Sequence, residues 1–461
     1  MNSTILLLAS LALSGPSRPD PAPASPAGLL AIRVGRAETA TKGAIEHAVI
    51  LVEDGKIVAI GEDLPVERGI PILDKPNWVA MPGLVDSYSR LGLDGEGGDD
   101  NSPEVHAYEE LFPAADEYAE ALKYGVTTLG LYPAGNGVTG QSVVVRPSGK
   151  TREEMKVQDP GYLKIILRAS AGSKKLVREG FRKADDYVEK EKKAREKWEK
   201  DQEAKKKKSS SKTEEKKSDD KKTDEKKSDD KKEEGKKEDG KEEPKSESKE
   251  EKPAGKDDVF VPPVPDPKVK PFLDLRSGKL RALFSVSSAA EFLHLVDALG
   301  KEKIAFDLRI PLSRECDVFY VEDKKTYDLD VDGIGDRKCR VVMEPVLTLH
   351  PGTMRQRNLP MELAHAGAKV VFIPRTDSLQ DLRDWMPNVG EIVGAGLDRQ
   401  AALRALTSEP AALLGVDSRL GSLEKGKDAN LVFLSGDPFQ PSSRIQAVML
   451  EGKFVFGEVK P

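Results

Sequence analysis

Tyr88 and Arg90 stand two residues apart at the end of the apolar run Met81-Pro82-Gly83-Leu84-Val85-Asp86. On a strand, positions i and i+2 share a face, so a phenol and a permanent guanidinium point the same way. An arginine at such a position repels a divalent cation instead of ligating it. The five histidines are scattered as His47, His106, His294, His350 and His365, with no two spaced to share a strand face or a helix turn. They are read as structural or surface residues; the alternative is a relocated metal site built from one or two of them with Asp or Glu. Ser285 and Ser287 offer hydroxyls, but the chain has no Gly-x-Ser-x-Gly elbow to expose one as a nucleophile. Gly135-Asn136-Gly137-Val138-Thr139-Gly140 lacks the Lys-Ser/Thr of a phosphate loop and reads as a plain loop.

The elements that position these residues must come from 461 residues, enough for one large domain and a smaller one. Charged residues make up 33% of the chain, yet its net charge is only −6, with both signs interleaved. Nucleic-acid binding finds no support in that pattern, because no basic face is separated from the acids. Residues 5–13 form an apolar run too short to span a bilayer but suited to a secretory signal. Residues 1–14 are therefore expected to be a signal peptide, 15–28 a flexible mature N-terminus, and the protein exported to the periplasm or outside the cell. No other segment approaches the roughly 20 apolar residues of a membrane helix. Cys316 and Cys339, 23 positions apart, match no zinc ribbon or redox pair, and whether they bridge stays open.

Short strand-like runs at 29–34, 47–52 and 56–60 are joined by Asp54-Gly55, a hairpin signal. The C-terminus repeats the style with 431–434, 448–450 and 453–456, the last two separated by Glu451-Gly452. Residues 29–80 and 417–461 are expected to complete one composite small β domain. Between them, helical and apolar β-type runs alternate: 112–124 before 126–131, 361–366 before 369–373, then 399–405 and 409–414. That alternation favours parallel α/β architecture. Residues 171–204 read as a long charged helix. Residues 205–252 contain only Lys, Glu, Asp, Ser, Thr, Gly and Pro, with a five-residue repeat from Lys216, so nothing there offsets the entropy of ordering.

Several motifs resemble the amidohydrolase family. Gly421-Ser422-Leu423-Glu424-Lys425-Gly426-Lys427-Asp428-Ala429-Asn430-Leu431-Val432, followed by Gly436-Asp437-Pro438, resembles the segment that returns to the family's small domain. Ala405-Leu406-Thr407-Ser408-Glu409-Pro410-Ala411-Ala412-Leu413-Leu414-Gly415 resembles the last barrel helix, with Glu409 where Asn is usual, and Tyr124-Gly125-Val126-Thr127-Thr128 the turn into an early strand. The likeness covers roughly 29–181 and 259–461 and is nearest to the imidazolonepropionase-like branch. It implies a (β/α)8 TIM-like barrel over 81–416, interrupted by a disordered charged insertion at 205–258, plus a composite β-sandwich domain from both chain ends.

The resemblance also implies what the barrel mouth should hold. Family members hydrolyse non-peptide C–N bonds with zinc or another divalent metal, which acidifies its bound water. By the family pattern, Tyr88 and Arg90 occupy the paired histidine positions of the first strand, and Ser285 and Ser287 fall where strand-five histidines are expected. No histidine lies between His294 and His350 to serve strand six. Asp377, in Val370-Val371-Phe372-Ile373-Pro374-Arg375-Thr376-Asp377-Ser378, matches the strand-eight aspartate and is the one catalytic candidate; it is expected to pair with Arg90 or else to cap the next helix. These substitutions imply no bound metal cofactor and a catalytically inactive pseudoenzyme that binds a ligand or partners an active relative, as homo- or hetero-oligomer. The alternative is an active C–N hydrolase with an unconventional site. From composition alone, trypsin should cleave rapidly throughout 205–252, and replacing that stretch with a short flexible linker should leave the melting temperature within a few degrees; a large loss would show that it packs on the fold.

Overall fold

The computed structural model describes residues 28–96, 101–215, 259–314, 319–322, 324–327, 331–457 and 459. The expected signal peptide, Cys316 and most of the charged insertion lie outside them. The described residues divide into two compact units, one from the chain up to Arg178 and from Leu273 onward, the other from Glu179 to Phe272.

Within the larger unit, strands from both chain ends share one eight-stranded sheet. Leu30–Glu38 pairs parallel with Ile72–Pro82, whose far end pairs antiparallel with Leu431–Leu434. The ladder is continuous, around a core that includes Ile32, Ile50, Leu73, Leu431, Phe433 and Met449. Its hairpins are set locally: Asp54 and Gly55 have φ of 47° and 80°, and Glu451 and Gly452 have 47° and 77°. Two successive positive φ values match the twist of paired strands, which is why Gly takes the second place in each turn. The turns abut so closely that a Cβ on Gly452 would meet the Gly55 Cα at 3.0 Å.

The barrel strands follow in chain order: Leu84–Ser89, Val126–Leu131, then Val138–Gln141 with Val143–Val145, and Tyr162–Ile166, Arg281–Ser285, Phe306–Arg309, Arg340–Met343 and Lys369–Phe372. Neighbours pair in parallel except at the third place, where both short strands run antiparallel to their partners. The helix–strand alternation predicted from sequence fails there for a steric reason. A parallel return needs a crossover of a dozen or more residues, usually a helix, and Leu131 is joined to Val138 through residues 132–137 alone. No ladder pairing among the described residues joins Leu84–Ser89 to Lys369–Phe372. The helices Arg399–Leu406 and Ser408–Leu413 pack against both of these strands instead.

Val85, Val144, Tyr162, Leu283, Val342 and Val371 form the apolar barrel layer, together with Ala411, Leu413, Leu414 and Val416. At the strand starts lies a charge network. Arg281 Nε donates to Asp307 Oδ2 at 2.9 Å, Arg340 Nε donates to Glu409 Oε2 at 3.1 Å, and Lys369 Nζ lies 3.9 Å from Glu409 Oε1. Glu409 thus ties two barrel strands to the last helix, a use for a carboxylate that the family's Asn could not match in charge.

In the second unit, the helix Ala171–Glu215 runs past the expected end at 204 and into the stretch read as unstructured. Its apolar side chains find partners: Phe181 meets Phe272 edge-on at 5.2 Å, and Trp198 lies 5.9 Å from Phe260. For the network at the strand starts, Glu409→Ala should cost about 1–3 kcal/mol in urea unfolding, since it leaves Arg340 half-buried without its acid, and Glu409→Gln should cost less.

Candidate functional site at the barrel mouth

Tyr88 faces the barrel interior and stacks on Tyr132, with ring centres 4.0 Å apart and the hydroxyls hydrogen-bonded. Lys164, from the strand Tyr162–Ile166, places its Nζ 3.9 Å from the centre of the Tyr132 ring and 5.6 Å from that of Tyr88. Arg309, the last residue of its strand, lies 5.3 Å from the Tyr88 ring. The Arg309 guanidinium is therefore in cation–π contact with the Tyr88 ring, and the Lys164 amine lies against the same aromatic pair. Arg309 is clamped in turn by Glu344, which directly follows the next strand: both guanidinium nitrogens donate to the carboxylate, one at 3.1 Å, and Leu312 N–H donates to it at 2.8 Å.

On the other side of Tyr88 lie two carboxylates. Asp86 is buried, and Asp377 is exposed at the rim. Ser89 is hydrogen-bonded to Asp86 and donates from Oγ to Asp377 Oδ1 at 2.6 Å, linking the two barrel ends that the ladder leaves unpaired. Burial, then the charge of Asp377, pushes the Asp86 carboxyl up to about 7. Burial, then the charges of Arg90 and Arg309, pulls the Lys164 amine down to about 7. Burial also raises Tyr88, so its phenol stays protonated at neutral pH.

The expected residues are only partly brought together. Arg90 does not pair with Asp377. Its guanidinium donates to Tyr132 O at 3.0 Å and Gly95 O at 2.7 Å, and lies 3.4 Å from Glu110 Oε2. The strand carries a register irregularity between Asp86 and Ser89 and ends at Ser89, so the simple alternation that put residues 88 and 90 together does not apply. Asp377 does not cap the following helix either; Ser378 does, accepting from Asp381 N–H. Ser285 ends its strand two residues after Leu283 of the apolar layer and is half-buried. Ser287 lies past the strand, where its hydroxyl donates to Glu291 at 2.7 Å and accepts from Arg168 at 3.0 Å.

Lys164, Arg309, Glu344, Asp86 and Tyr132 were missed by the sequence reading. Lys164 and Arg309 did leave a signal, each a lone cation near the end of an apolar run, in Tyr162-Leu163-Lys164-Ile165-Ile166 and Leu308-Arg309-Ile310. The histidines lie apart from this cluster: His106 contacts Asp159 and Gln141, His350 packs edge-on against Tyr320, and His294 and His365 lie in helices. The mouth does not fit a divalent cation. A guanidinium and an amine take up the faces of the aromatic pair, and no three His, Cys, Asp or Glu side chains among the described residues are grouped to hold a metal.

The shifts fix the sign of a pH experiment. Lys164 binds fewer protons folded than unfolded between about 7 and 10.5, so its penalty is full below pH 7 and fades as pH rises to the unfolded value. Lys164→Met should therefore stabilise by about 1–3 kcal/mol at pH 6, and the gain should shrink toward pH 10. Asp86 acts oppositely, costing stability as pH rises from 3.8 through about 7, so Asp86→Asn should gain most above pH 7. Urea midpoints of both variants across pH check the two slopes.

An amidohydrolase family model matches residues 382–456. No curated protein matches the chain. Among solved structures, an amidohydrolase from Thermotoga maritima MSB8 aligns over 93% of this chain and 100% of its own at 20% identity and a TM-score of 0.67. A prolidase complexed with N-methylphosphonate-L-proline aligns over 93% and 100% at 12% identity and 0.50. Residues 382–456 thus resemble the amidohydrolase family, and the chain has the fold of a solved amidohydrolase.

Proposed function

We propose that this protein is a non-catalytic amidohydrolase, from the imidazolonepropionase-like side of the superfamily, whose barrel mouth binds a ligand in place of a metal-activated water. The carrying observation is the Tyr88 ring, held in contact with Lys164 and Arg309 at the position where the family's first-strand ligand would stand. Metal-dependent hydrolysis needs neutral imidazoles and carboxylate around a cation, and a fixed guanidinium opposes that cation at every working pH. The motif from Gly421 to Pro438 supports the branch. The signal-like start supports export, and the retained small domain and last helices support a partner role, as homo-oligomer or beside an active relative.

One arrangement favours the second reading, an active C–N hydrolase with an unconventional site. Asp86, whose burial pushes its carboxyl up to about 7, is joined through Ser89 to Asp377 at the rim, and a pair of carboxyl groups is a common acid–base arrangement.

Elemental analysis and a hydrolysis screen separate the two. Protein purified without chelator should contain well under one equivalent of Zn, Mn, Fe or Ni and cleave no cyclic or acyclic amide in a panel. Tyr88→His combined with Arg90→His should not create tight zinc binding, because Arg309 and Ser285 remain. Stoichiometric metal lost on Asp377→Ala, or turnover lost on Asp86→Asn, would favour the enzyme.

A further inference from the structure

Lys164 is 4% exposed, and none of the ion pairs among the described residues includes it. Its Nζ lies against the Tyr132 and Tyr88 rings, with Arg90 and Arg309 as neighbouring charges. A desolvated amine beside other cations is kept neutral, and a neutral amine carries the free lone pair that attacks a carbonyl. Around it, Tyr88, Tyr132 and Ser285 are half-buried and Asp377 is exposed.

Charge narrows the ligand. Arg309 is already matched by Glu344 and Arg90 by Glu110, so a carboxylate on the ligand finds no unpaired cation here. Asp377 at the rim would repel one. We propose that Lys164 captures a small uncharged aldehyde or ketone in the barrel mouth as a Schiff base. The proposal rests on reading the mouth as a ligand site and names the chemical class of that ligand. In the step, the Nζ lone pair forms a bond to the carbonyl carbon and gives a carbinolamine. One amine proton reaches the carbonyl oxygen as the carbinolamine forms, the second passes to it as it leaves as water, and a C=N bond remains. The aromatic pair covers the adduct, and no oxidant or reductant is consumed.

Reductive trapping of the full chain tests this. Low-millimolar butanal with cyanoborohydride at pH 7, followed by peptide mapping, should label Lys164 at least about ten-fold more than exposed lysines such as Lys301 and Lys425, because an ordinary lysine is almost wholly protonated there. Pyruvate in place of butanal should label Lys164 at least about three-fold less. Labelling of Lys164 no greater than that of Lys301 in metal-free protein overturns the proposal while leaving the ligand-site reading untouched. Pyruvate labelling equal to that of butanal overturns the uncharged class. Stoichiometric metal bound in the same preparation overturns both the proposal and the reading beneath it.

Discussion

Two cations must be kept inside a barrel whose walls are valine, leucine and tyrosine, and the mouth is organised around that requirement. Arg309 meets it with a carboxylate partner: Glu344 accepts from both guanidinium nitrogens and from Leu312 N–H, so the buried charge is paired and its acceptors are occupied. Such a pair need not stabilise the fold relative to apolar residues, but losing one member would leave a bare buried charge, at a cost of about 3–5 kcal/mol. Lys164 meets the requirement differently. Buried and with the Arg90 and Arg309 guanidiniums nearby, its amine gives up the proton near neutral pH. One cation is neutralised by its partner and the other by deprotonation.

The acidic side of the mouth follows the same logic. Asp86 has no cation in contact and is buried beside Asp377, so it holds its proton up to about pH 7, while Asp377 reaches solvent at the rim. Ser89 links the two and, in doing so, spans the first and last barrel strands, which share no ladder bonds among the described residues. The polar mouth and the closure of the barrel therefore share a residue. At the opposite end, Glu409 joins Arg340 and Lys369, so both ends of the interior depend on carboxylates set between strands. In barrels of this kind the strand ends carry chemistry and the strand starts carry stability. In this chain the charge network lies at the strand starts, and among the described residues no three His, Cys, Asp or Glu side chains are grouped to hold a metal.

Much of the fold was legible because its signals are local. Asp54-Gly55 and Glu451-Gly452 declare their turns through the φ values only such residues accept readily, and Gly125, at φ 81°, ends the helix Asp116–Lys123 as its sequence position suggests. The antiparallel third place was not legible, because nothing in residues 132–161 says which neighbour a short apolar run will choose. In the site, Tyr88 was found through a motif, but Arg90 was misplaced because a strand irregularity is not written in an alternation pattern. Lys164 and Arg309 come from two different strands and Glu344 directly follows a third, and their meeting is a property of the tertiary fold. A lone cation in an apolar run marks that something must compensate it, without saying what.

The central claim is that the mouth is a desolvated cation and aromatic cluster in which Lys164 is uncharged near neutral pH. The chemical shift of the Lys164 side chain, followed by NMR on lysine-labelled protein and assigned through Lys164→Met, reads this directly. The account predicts a titration midpoint near 7. A midpoint above about 10, the value of an ordinary solvated lysine, would contradict it.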